Sequence, residues 1–506
     1  MSADTLSRFL ADSPAAGTDR TAFVAGEERV SYAQFQDAAA RLAGALVDSM
    51  GFEPGDRLGI LLPNCPQFAI AYFGAHHAGA VALPLNPLFA PAELVAILVE
   101  SRPKAVVTLP QLVPALVAAR EAGAPIGSIL VTLGEVPEGS DATPFETVVA
   151  AGSPRDPHDA DPSSMAVLLY SSGTTGVPKG IMLSHRNLIS NTASVRAFKK
   201  WGDDEVFLTV LPLFHGYASL AMMMLPLSLG ATIALESRFV PSRILERIGE
   251  HRVTFFAGVP PMYALFLRKC NPADYELASC RHWLSGAAPL PMALFDAFRD
   301  RFGVEIVEGY GPQECSPVIS ANPLTEPVHP GTVGPIVRDV EVRIVAPDGR
   351  DLPVGQDGEV VARGPNVMLG YYQKPEDTAE VLRDGWYHTG DMGRLDEDGF
   401  LSITGRIKEM IIVKGENVYP AEVEQVLLTH PAVADVAVKG MKEEIRGEKV
   451  VAFVVVKEGN ETTERELIDH CTAGLADFKV PRDIRFLDAI PRNPAGKILR
   501  RTLPDE

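Results

Sequence analysis

Apolar runs of strand length alternate with helix-length segments from about residue 55 to about residue 310. One series reads RLGILL, CPQFAIAYFGAHHAG, AVALPL, PAELVAILVES and KAVVTL; a second contains the runs VFLTVLP, ATIALE, VTFFAGVP and HWLSGA, each followed by a helix-length segment. This alternation is typical of parallel sheets whose strands are joined by helices. The pattern therefore predicts two wound α/β subdomains.

The pattern changes near residue 330, where the strands become short and turn-forming clusters separate them. The strands are EVRIV, GEVVARG and GFLSITG, and the turn clusters are PDGRD, DGWY and DEDG. Such close spacing is typical of antiparallel structure, so we expect a small β-barrel-like subdomain here.

A new series of strands and helices begins at Lys408. Its strands are EMIIVKG, VADVAVKG and KVVAFVVVKEG, and its helices are PAEVEQVLLTH and ERELIDHCTAGLADF. About a hundred residues suffice for a separate domain. The sequence therefore predicts an α/β protein with a large N-terminal domain over residues 1–407 and a smaller α+β C-terminal domain over residues 408–506.

One uncharged segment, Tyr217 to Leu235, is long enough to raise the question of a membrane span. Pro226 and Gly230 interrupt it, and ATIALE at its end has the pattern of a strand. We therefore expect a buried helix followed by a buried strand, and no integral membrane segment.

Composition narrows the class of protein. The chain has 506 residues with 46% apolar content, and its net charge of −19 argues against a general attraction to nucleic acid. Its first residues, MSADTLSRFLADSP, lack the apolar core of a signal peptide, so we expect a cytoplasmic protein. The five cysteines form no CxxC pair, which favours a reducing compartment and no zinc site. They are Cys65, Cys270, Cys280, Cys315 and Cys471.

The stretch YSSGTTGVPKG, Tyr170 to Gly180, follows an apolar strand and is rich in hydroxyl side chains and glycine. Its lysine precedes the last glycine, so it is not the GxxxxGK[ST] loop of NTPases, and it is not a GxGxxG fingerprint. Backbone N–H groups, hydroxyls and Lys179 could still bind phosphate oxygens. Taken alone, the stretch could equally be a mobile surface turn.

Five further motifs follow this stretch along the chain: LPLFH (Leu211 to His215), GYGPQE (Gly309 to Glu314), YHTGD (Tyr387 to Asp391), GRIKEMIIVKGENVYPAEVE (Gly405 to Glu424) and PRNPAGKILRR (Pro491 to Arg501). Together and in this order, the six motifs resemble the signatures of the adenylate-forming superfamily, which includes acyl-CoA synthetases, peptide-synthetase adenylation domains and luciferases. The resemblance spans the whole chain. It implies an AMP-forming acyl-CoA ligase that uses ATP, Mg²⁺ and coenzyme A.

The resemblance also assigns the nucleotide site. It implies that Lys179 binds the β- and γ-phosphates, that Glu314 carries the Mg²⁺, and that Asp391 accepts the ribose hydroxyls with Arg406 as its companion. Tyr310 resembles the aromatic residue that packs on adenine. The other implied nucleotide residues are Ser171, Ser172, Gly173, Thr174, Thr175, Gly286, Ala287, Ala288, Glu308, Gly309, Gly311 and Gln313. Gln313 departs from the family, which usually has threonine there, and this leaves its role open.

The C-terminal motifs imply a moving domain. Lys497 resembles the lysine whose ammonium reaches both the acid and the α-phosphate during adenylation, and Lys408 lies at the implied hinge. After the domain rotates, Gly415 would let the pantetheine arm of coenzyme A pass close to the backbone. No enzyme nucleophile is required.

The resemblance places the acid next to His215. It implies that His215 gates the acid pocket and takes part in catalysis. The expected pocket residues are Phe214, His215, Tyr217, Gly258, Pro260, Gly286 and Gly311. The family's aspartate for an amino-acid ammonium is missing at His215-Gly216-Tyr217, and the pocket stretches contain no arginine for a second carboxylate. We therefore expect a hydrophobic monocarboxylic acid, either a medium- to long-chain fatty acid or an aromatic acid.

Several alternatives stay open at this point. The acyl group could pass to a carrier-protein thiol instead of coenzyme A. The chain could also be a non-catalytic nucleotide-binding regulator, a phosphotransferase that releases ADP, or a luciferase-type oxygenase. The expected partners are small molecules, in a monomer or a homodimer, without nucleic acid.

Overall fold

A computed structural model describes residues 4–170, 178–325, 327–413, 416–443, 447–492 and 496–505. Two eight-stranded sheets, a six-stranded sheet and a five-stranded sheet make up the fold. The two predicted α/β subdomains, the antiparallel β subdomain and the smaller C-terminal α+β unit are all present. The exact domain boundary between residues 407 and 408 stays a prediction.

The first sheet is parallel at its centre. Its strands, in spatial order, are Gly370–Tyr371, Gly180–Ser184, Met165–Tyr170, Val81–Pro84, Arg57–Leu61, Ala105–Thr108, Ser128–Val131 and Thr143–Pro144. The central strands are buried on both faces, which explains why they appear in the sequence as continuous apolar runs. At one edge, Gly180–Ser184 runs antiparallel to Met165–Tyr170.

The second sheet is also mainly parallel. Its strands, in spatial order, are Ser320–Ala321, Ile306–Tyr310, His282–Ser285, Phe255–Gly258, Val206–Thr209, Thr232–Leu235, Thr21–Ala25 and Glu28–Ser31. The alternation that begins near residue 55 does not predict the hairpin formed by the last two strands. Phe23 of that hairpin pairs in parallel register with Ile233. The hairpin therefore extends the sheet through a partner far away in sequence.

Helices cover both sheets and join them. The helices of the N-terminal part are Leu6–Phe9, Tyr32–Gly44, Pro66–His77, Pro91–Ser101, Val113–Glu121, Phe145–Ala151, His185–Arg196, Gly216–Ser219, Leu225–Leu229, Pro241–Glu250, Pro260–Lys269, Met292–Phe302 and Pro375–Val381, with π-helical turns at Ala45–Ser49 and Leu220–Met224. Phe35 contacts Phe23 of the second sheet and Phe73 of the neighbouring helix, with ring centroids 5.0 and 5.8 Å apart. These rings belong to the largest hydrophobic core.

The uncharged segment that begins at Tyr217 folds as predicted. It forms consecutive short helical segments from Gly216 to Leu229 and then the strand Thr232–Leu235, and most of its side chains are buried. Gly230 ends the helical part with a positive φ of 69°. Within the described ranges, no helix has both the length and the apolar character needed to cross a membrane.

The six-stranded sheet is antiparallel throughout. Its strands are Gly334–Pro335, Phe400–Arg406, Trp386–Leu395, Gly358–Arg363 and Glu341–Val345, with Leu382–Arg383 paired to Trp386–Leu395. Sequence reasoning assigned DGWY to a turn, but only Asp384 and Gly385 turn, and Trp386 and Tyr387 begin the longest strand of this sheet. That strand carries the YHTGD motif.

The C-terminal unit has its own sheet and its own core. Its strands are Glu416–Val418, Ile411–Val413, Gly447–Val456, Val433–Glu443 and Asp483–Phe486, and its helices are Pro420–Leu428 and Glu464–Gly474. Val423 and Leu427 from one helix and Leu467 and Cys471 from the other are fully buried in this core. The apolar side chains of both helices therefore pack on one face of the sheet.

Replacing Phe35 with alanine should lower the free energy of unfolding by about 3–5 kcal/mol, because it opens a cavity between the rings of Phe23 and Phe73. Urea unfolding followed by fluorescence measures this change. Val354→Ala is the control, since Val354 is 60% exposed and should change the free energy by less than about 0.5 kcal/mol. Equal effects of the two substitutions would contradict the assigned core.

Candidate active site

Asp391 lies at the centre of the candidate site and is only 3% exposed. It stands directly opposite Arg406 in the antiparallel pair of Trp386–Leu395 and Phe400–Arg406, and Arg406 Nε lies 2.8 Å from Asp391 Oδ1. Tyr310 Oη donates to Asp391 Oδ2 at 2.6 Å. Burial, and then the Asp391 carboxylate, raise the pKa of Tyr310, so the phenol keeps its proton for this bond. Each carboxylate oxygen keeps a further lone pair for a ligand hydroxyl.

Tyr310 is the last residue of the strand Ile306–Tyr310, and the turn after it is tightly packed. A Cβ atom on Gly311 would lie 1.8 Å from the carbonyl oxygen of Pro317, so only glycine fits here. Gln313 and Glu314 follow in a short 3₁₀ helix, Gln313–Cys315. The end of one strand and the turn after it thus present four of the predicted site residues within five positions.

Glu314 provides a candidate ligand for a cation. Its Oε1 accepts a hydrogen bond from Tyr371 Oη at 2.9 Å, and burial raises its pKa. Among the described residues, no group of three His, Cys, Asp or Glu side chains could hold a metal ion by itself. A single carboxylate fits Mg²⁺, because proteins commonly hold this ion with one or two carboxylates while phosphate oxygens of the substrate complete the shell.

Lys179 lies beside the same tyrosine. Its Nζ is 2.8 Å from Asp377 Oδ1 and 5.1 Å from the centroid of the Tyr371 ring. Tyr371 therefore links the predicted phosphate lysine to the predicted metal carboxylate. The other predicted phosphate-loop residues, Ser171, Ser172, Gly173, Thr174 and Thr175, lie outside the described residues.

His215 and Gln313 meet near the same turn. His215 Nε2 lies 3.4 Å from Gln313 Nε2, and burial lowers the pKa of His215 to about 4. The imidazole is therefore neutral at neutral pH. Gln313, which replaces the usual threonine of the resembled family, contacts the predicted gate of the acid pocket. Its place among the implied nucleotide residues stays a prediction.

Glu308 has a different environment from the other predicted nucleotide residues. It is buried, its Oε1 accepts from the backbone N–H of Leu290 at 2.9 Å, and burial raises its pKa to about 8. Its carboxyl group thus braces the loop that contains Gly286, Ala287 and Ala288. Within that loop, Ala287 has a positive φ of 65°. Its backbone conformation is one that residues other than glycine rarely adopt.

A largely apolar cavity opens beside these groups. Its walls include the predicted residues His215, Tyr217, Gly286 and Gly311, together with Tyr310 and Gln313. Phe198, Trp201, Leu225, Phe255, Leu284 and Leu324 also contribute apolar surface. Of the other predicted pocket residues, Phe214 packs against the main core, Gly258 abuts Tyr263, and Pro260 begins a helix.

The C-terminal unit contacts the larger domain through the loop that carries Lys497. Gly496 has a positive φ of 80°, and a Cβ there would lie 3.2 Å from Val259 Cγ2, so the loop packs closely on the N-terminal domain. Arg492 holds the loop by donating to the Gly496 carbonyl oxygen at 2.9 Å and pairing with Asp435 at 2.7 Å.

Lys497 is consequently close to the central carboxylate and its arginine. Burial, and then the Arg406 guanidinium, lower its pKa to about 8, although Glu409 and Asp391 act in the opposite direction. The predicted catalytic lysine and ribose carboxylate, which are far apart in sequence, therefore belong to one electrostatic environment.

The predicted hinge lies at the connection between the two units. Lys408 is exposed within the 3₁₀ helix Ile407–Glu409. The next residue, Glu409, pairs at 3.0 Å with Arg500, which also pairs at 2.6 Å with Glu424. These pairs anchor the connection to the C-terminal unit. Gly415 lies outside the described residues.

Sequence reasoning did not identify Tyr371, Asp377 and Trp201 as site residues. Tyr371 is 57 residues from Glu314, and Asp377 is 198 residues from Lys179. No local spacing connects residues so far apart. The only available signals were the paired tyrosines in LGYYQKP and the isolated tryptophan in FKKWGDD.

The five cysteines take no part in this arrangement. All are buried free thiols, and burial raises the pKa of each. A raised pKa keeps a thiol protonated and unreactive. The expectation that the chemistry needs no enzyme nucleophile stays a prediction.

Comparison with known proteins gives matches along nearly the whole chain. The model of the AMP-binding enzyme family matches residues 10–372, and that of the AMP-binding enzyme C-terminal domain matches residues 422–497. The chain is 35% identical to a long-chain-fatty-acid–CoA ligase of Bacillus subtilis (strain 168), covering 99% of this chain and 94% of that one. It is 37% identical to 4-coumarate–CoA ligase 1 of Solanum tuberosum, covering 95% and 89%.

A solved structure adds a comparison of shape. ATP-bound MatB from Rhodopseudomonas palustris is similar with a TM-score of 0.91 at 31% identity, covering 99% of this chain and 98% of that one. The apo form of the same protein gives a TM-score of 0.81 at the same identity and coverage.

Lys497 should react with an amine-directed reagent with a midpoint near pH 8, because its pKa is lowered to about 8 from the usual 10.5. The amine is a nucleophile only when deprotonated, so labelling should rise as the pH increases through that value. Peptide mass spectrometry measures the profile, with the exposed Lys269 in the same digest as a control. Identical profiles for the two lysines would contradict the assigned environment.

Proposed function

The chain belongs to the AMP-binding enzyme family, and from that premise we propose that it activates a hydrophobic monocarboxylic acid with ATP and transfers the acyl group to coenzyme A. The observation that carries this proposal is that Lys497 and Glu314 interact electrostatically with the paired Arg406 and Asp391, and that Tyr310, which donates to Asp391, lines the apolar cavity. A carboxylic acid and a nucleotide could meet there.

The proposed reaction has two steps. First, a carboxylate oxygen of the acid attacks the α-phosphorus of ATP, an acyl–phosphate bond forms, and pyrophosphate leaves. Second, the thiolate of coenzyme A attacks the acyl carbonyl carbon, a thioester forms, and AMP leaves. The first step brings anions together, so fixed positive charge around them lowers its barrier.

The chain's residues supply that charge and the orientation. Lys497 would bind the acid carboxylate and the α-phosphate as charge develops, and Lys179 would leave Asp377 for the outer phosphates. Asp391 and Tyr310 would fix the nucleoside. Glu314 would hold the Mg²⁺, which neutralises phosphate charge when bound. His215 would contact the acid beside Gln313.

The class of acid follows from the cavity wall. Among the described residues that line the cavity, none is Asp, Glu, Lys or Arg. An amino-acid ammonium or a second carboxylate would therefore be desolvated there without a charged partner, which is strongly unfavourable. Relatives that bear the names long-chain-fatty-acid–CoA ligase and 4-coumarate–CoA ligase support an apolar acid.

We propose that the described arrangement is the one that forms the adenylate. Lys497 lies near Asp391 and Arg406, and the overall shape resembles ATP-bound MatB more than its apo form. The thioester step would then require the C-terminal domain to turn about Lys408 and to bring Gly415 to the cavity. We further propose a cytoplasmic monomer or homodimer.

The acid class is tested by measuring pyrophosphate release with octanoate, palmitate, benzoate, 4-coumarate, malonate and a set of amino acids. We expect one of the apolar monocarboxylic acids to give the highest kcat/KM. Mass spectrometry of the products, with coenzyme A or an acyl carrier protein as acceptor, should detect an acyl-CoA ester. Fastest turnover of malonate or an amino acid would overturn the acid class, and acylation of the carrier protein alone would overturn the acceptor.

Lys497→Ala should lower the rate of adenylate formation by at least about 100-fold, because it removes the positive charge that binds the developing anion. Thioester formation from supplied acyl-AMP should change by less than about threefold, since that step does not use this ammonium. Lys269→Ala, at an exposed helical site, is the matched control and should leave both steps unchanged. Equal losses in both steps of the Lys497 variant would contradict the proposed movement.

A further inference from the structure

We propose that Trp201, held in place by Lys199, closes the inner end of the acid cavity. The protein would then accept only compact acids, such as aromatic acids or medium-chain fatty acids. This inference rests on the proposed function and excludes long-chain fatty acids from the acids that the apolar wall alone admits. It also identifies a residue that determines specificity.

The cavity follows one face of the strand His282–Ser285. Because side chains alternate along a strand, His282 and Leu284 lie on one face, and Gly286 continues it at the carboxyl end. Gly286 and Leu284 line the cavity. His282, the next position on this face, instead accepts a hydrogen bond from Lys199 Nζ at 2.7 Å. The open space therefore ends where the lysine begins.

The neighbouring strand, Phe255–Gly258, shows that the cavity runs the same way. Phe255 lines the cavity and pairs in register with His282, whereas Gly258 pairs with Ser285 near the nucleotide end. These pairs are three residues apart, a rise of about 10 Å along the strand. Trp201 contacts Phe255 at the inner end, with ring centroids 6.1 Å apart. An extended palmitoyl chain is longer than this path.

Trp201 is fixed on two sides. Its indole Nε1 donates to the carbonyl oxygen of Arg196, the last residue of the helix His185–Arg196, at 2.8 Å. The ammonium of Lys199 lies 4.4 Å from the ring centroid. This distance is within the range of a cation–π contact, which is stronger when the cation is desolvated.

Lys199 is itself held in a buried network. Its side chain is 6% exposed and pairs with Glu205, which is 1% exposed, at 3.1 Å. Glu205 also accepts from the hydroxyl of Thr254, from the backbone N–H of Gly202 and from Arg281. The turn that contains Trp201 is therefore tied to the sheet on both sides of the indole. A buried charge network is costly to rearrange, so the indole cannot readily yield to a longer chain.

The test measures kcat/KM for adenylate formation with butyrate, octanoate, palmitate, benzoate and 4-coumarate. Wild-type protein should prefer octanoate or an aromatic acid to palmitate by at least about tenfold. Trp201→Ala should raise the palmitate-to-octanoate ratio by at least about tenfold, because it extends the cavity toward Lys199. Trp201→Phe should give an intermediate ratio and serves if the alanine variant does not fold.

Trp386→Ala is the matched control, since Trp386 packs against Arg343 and Arg363 in the six-stranded sheet. It should leave the ratio at the wild-type value. A wild-type protein that prefers palmitate would overturn the proposal. So would Trp201 variants that keep octanoate turnover with an unchanged ratio.

Acid binding provides a second readout that needs no catalysis. Titration with octanoate should change the tryptophan emission of the wild-type protein, and this change should be lost in Trp201→Phe. Calorimetry should show palmitate binding more tightly to Trp201→Ala than to wild type. Absence of acyl-AMP with every acid would overturn the proposed function, whereas the two binding measurements would still decide whether Trp201 closes the cavity. Equal palmitate affinity in both proteins would overturn this role.

Discussion

The burial of the Asp391 carboxylate is the constraint on which the rest of the site depends. An ionised carboxylate in the interior needs opposite charge and hydrogen-bond donors, and it obtains them from Arg406 and Tyr310. The aspartate and the arginine face each other in the antiparallel sheet, and the tyrosine ends a strand of the second sheet. The buried Asp391 carboxylate therefore joins the antiparallel subdomain to the subdomain of the second sheet. Its partner Arg406 lies at the connection to the C-terminal unit.

The parallel geometry of the second sheet sets where ligands can bind. Its strands Phe255–Gly258, His282–Ser285 and Ile306–Tyr310 all end at the same edge, and the loops after them supply the narrow turn at Gly311 and the strained backbone at Ala287. The apolar cavity extends from this edge along the sheet toward Phe255. Polar chemistry at one end and apolar burial at the other thus follow from one strand direction.

The position of Lys497 depends on this arrangement as well as on the loop that carries the lysine. Arg492 fixes the loop within the C-terminal unit, and the close fit of Gly496 on Val259 fixes it against the larger domain. Burial of the ammonium beside Arg406 lowers its pKa, so the docked position carries an electrostatic cost that a bound anion would offset. Such a balance fits the proposed movement, in which the C-terminal unit docks for adenylate formation and departs for thioester formation.

The sequence by itself determined the elements whose signal is local. Continuous apolar runs such as AVALPL became strands buried on both faces. The ordered motifs, through the family resemblance that they carry, predicted a common site for Asp391, Glu314 and Lys497. It missed the strand Trp386–Leu395, because the first residues of that strand belong to the turn-forming cluster DGWY. It also missed the hairpin at Thr21–Ala25, which joins its sheet through Ile233, a partner distant in sequence. Only the tertiary structure decided that Tyr371 bridges Lys179 and Glu314, and that Trp201 meets Phe255 in the cavity wall. The physical reason is that local patterns report the burial and backbone preference of each segment, whereas contacts between side chains depend on strand order and register, which are fixed only when the sheets assemble.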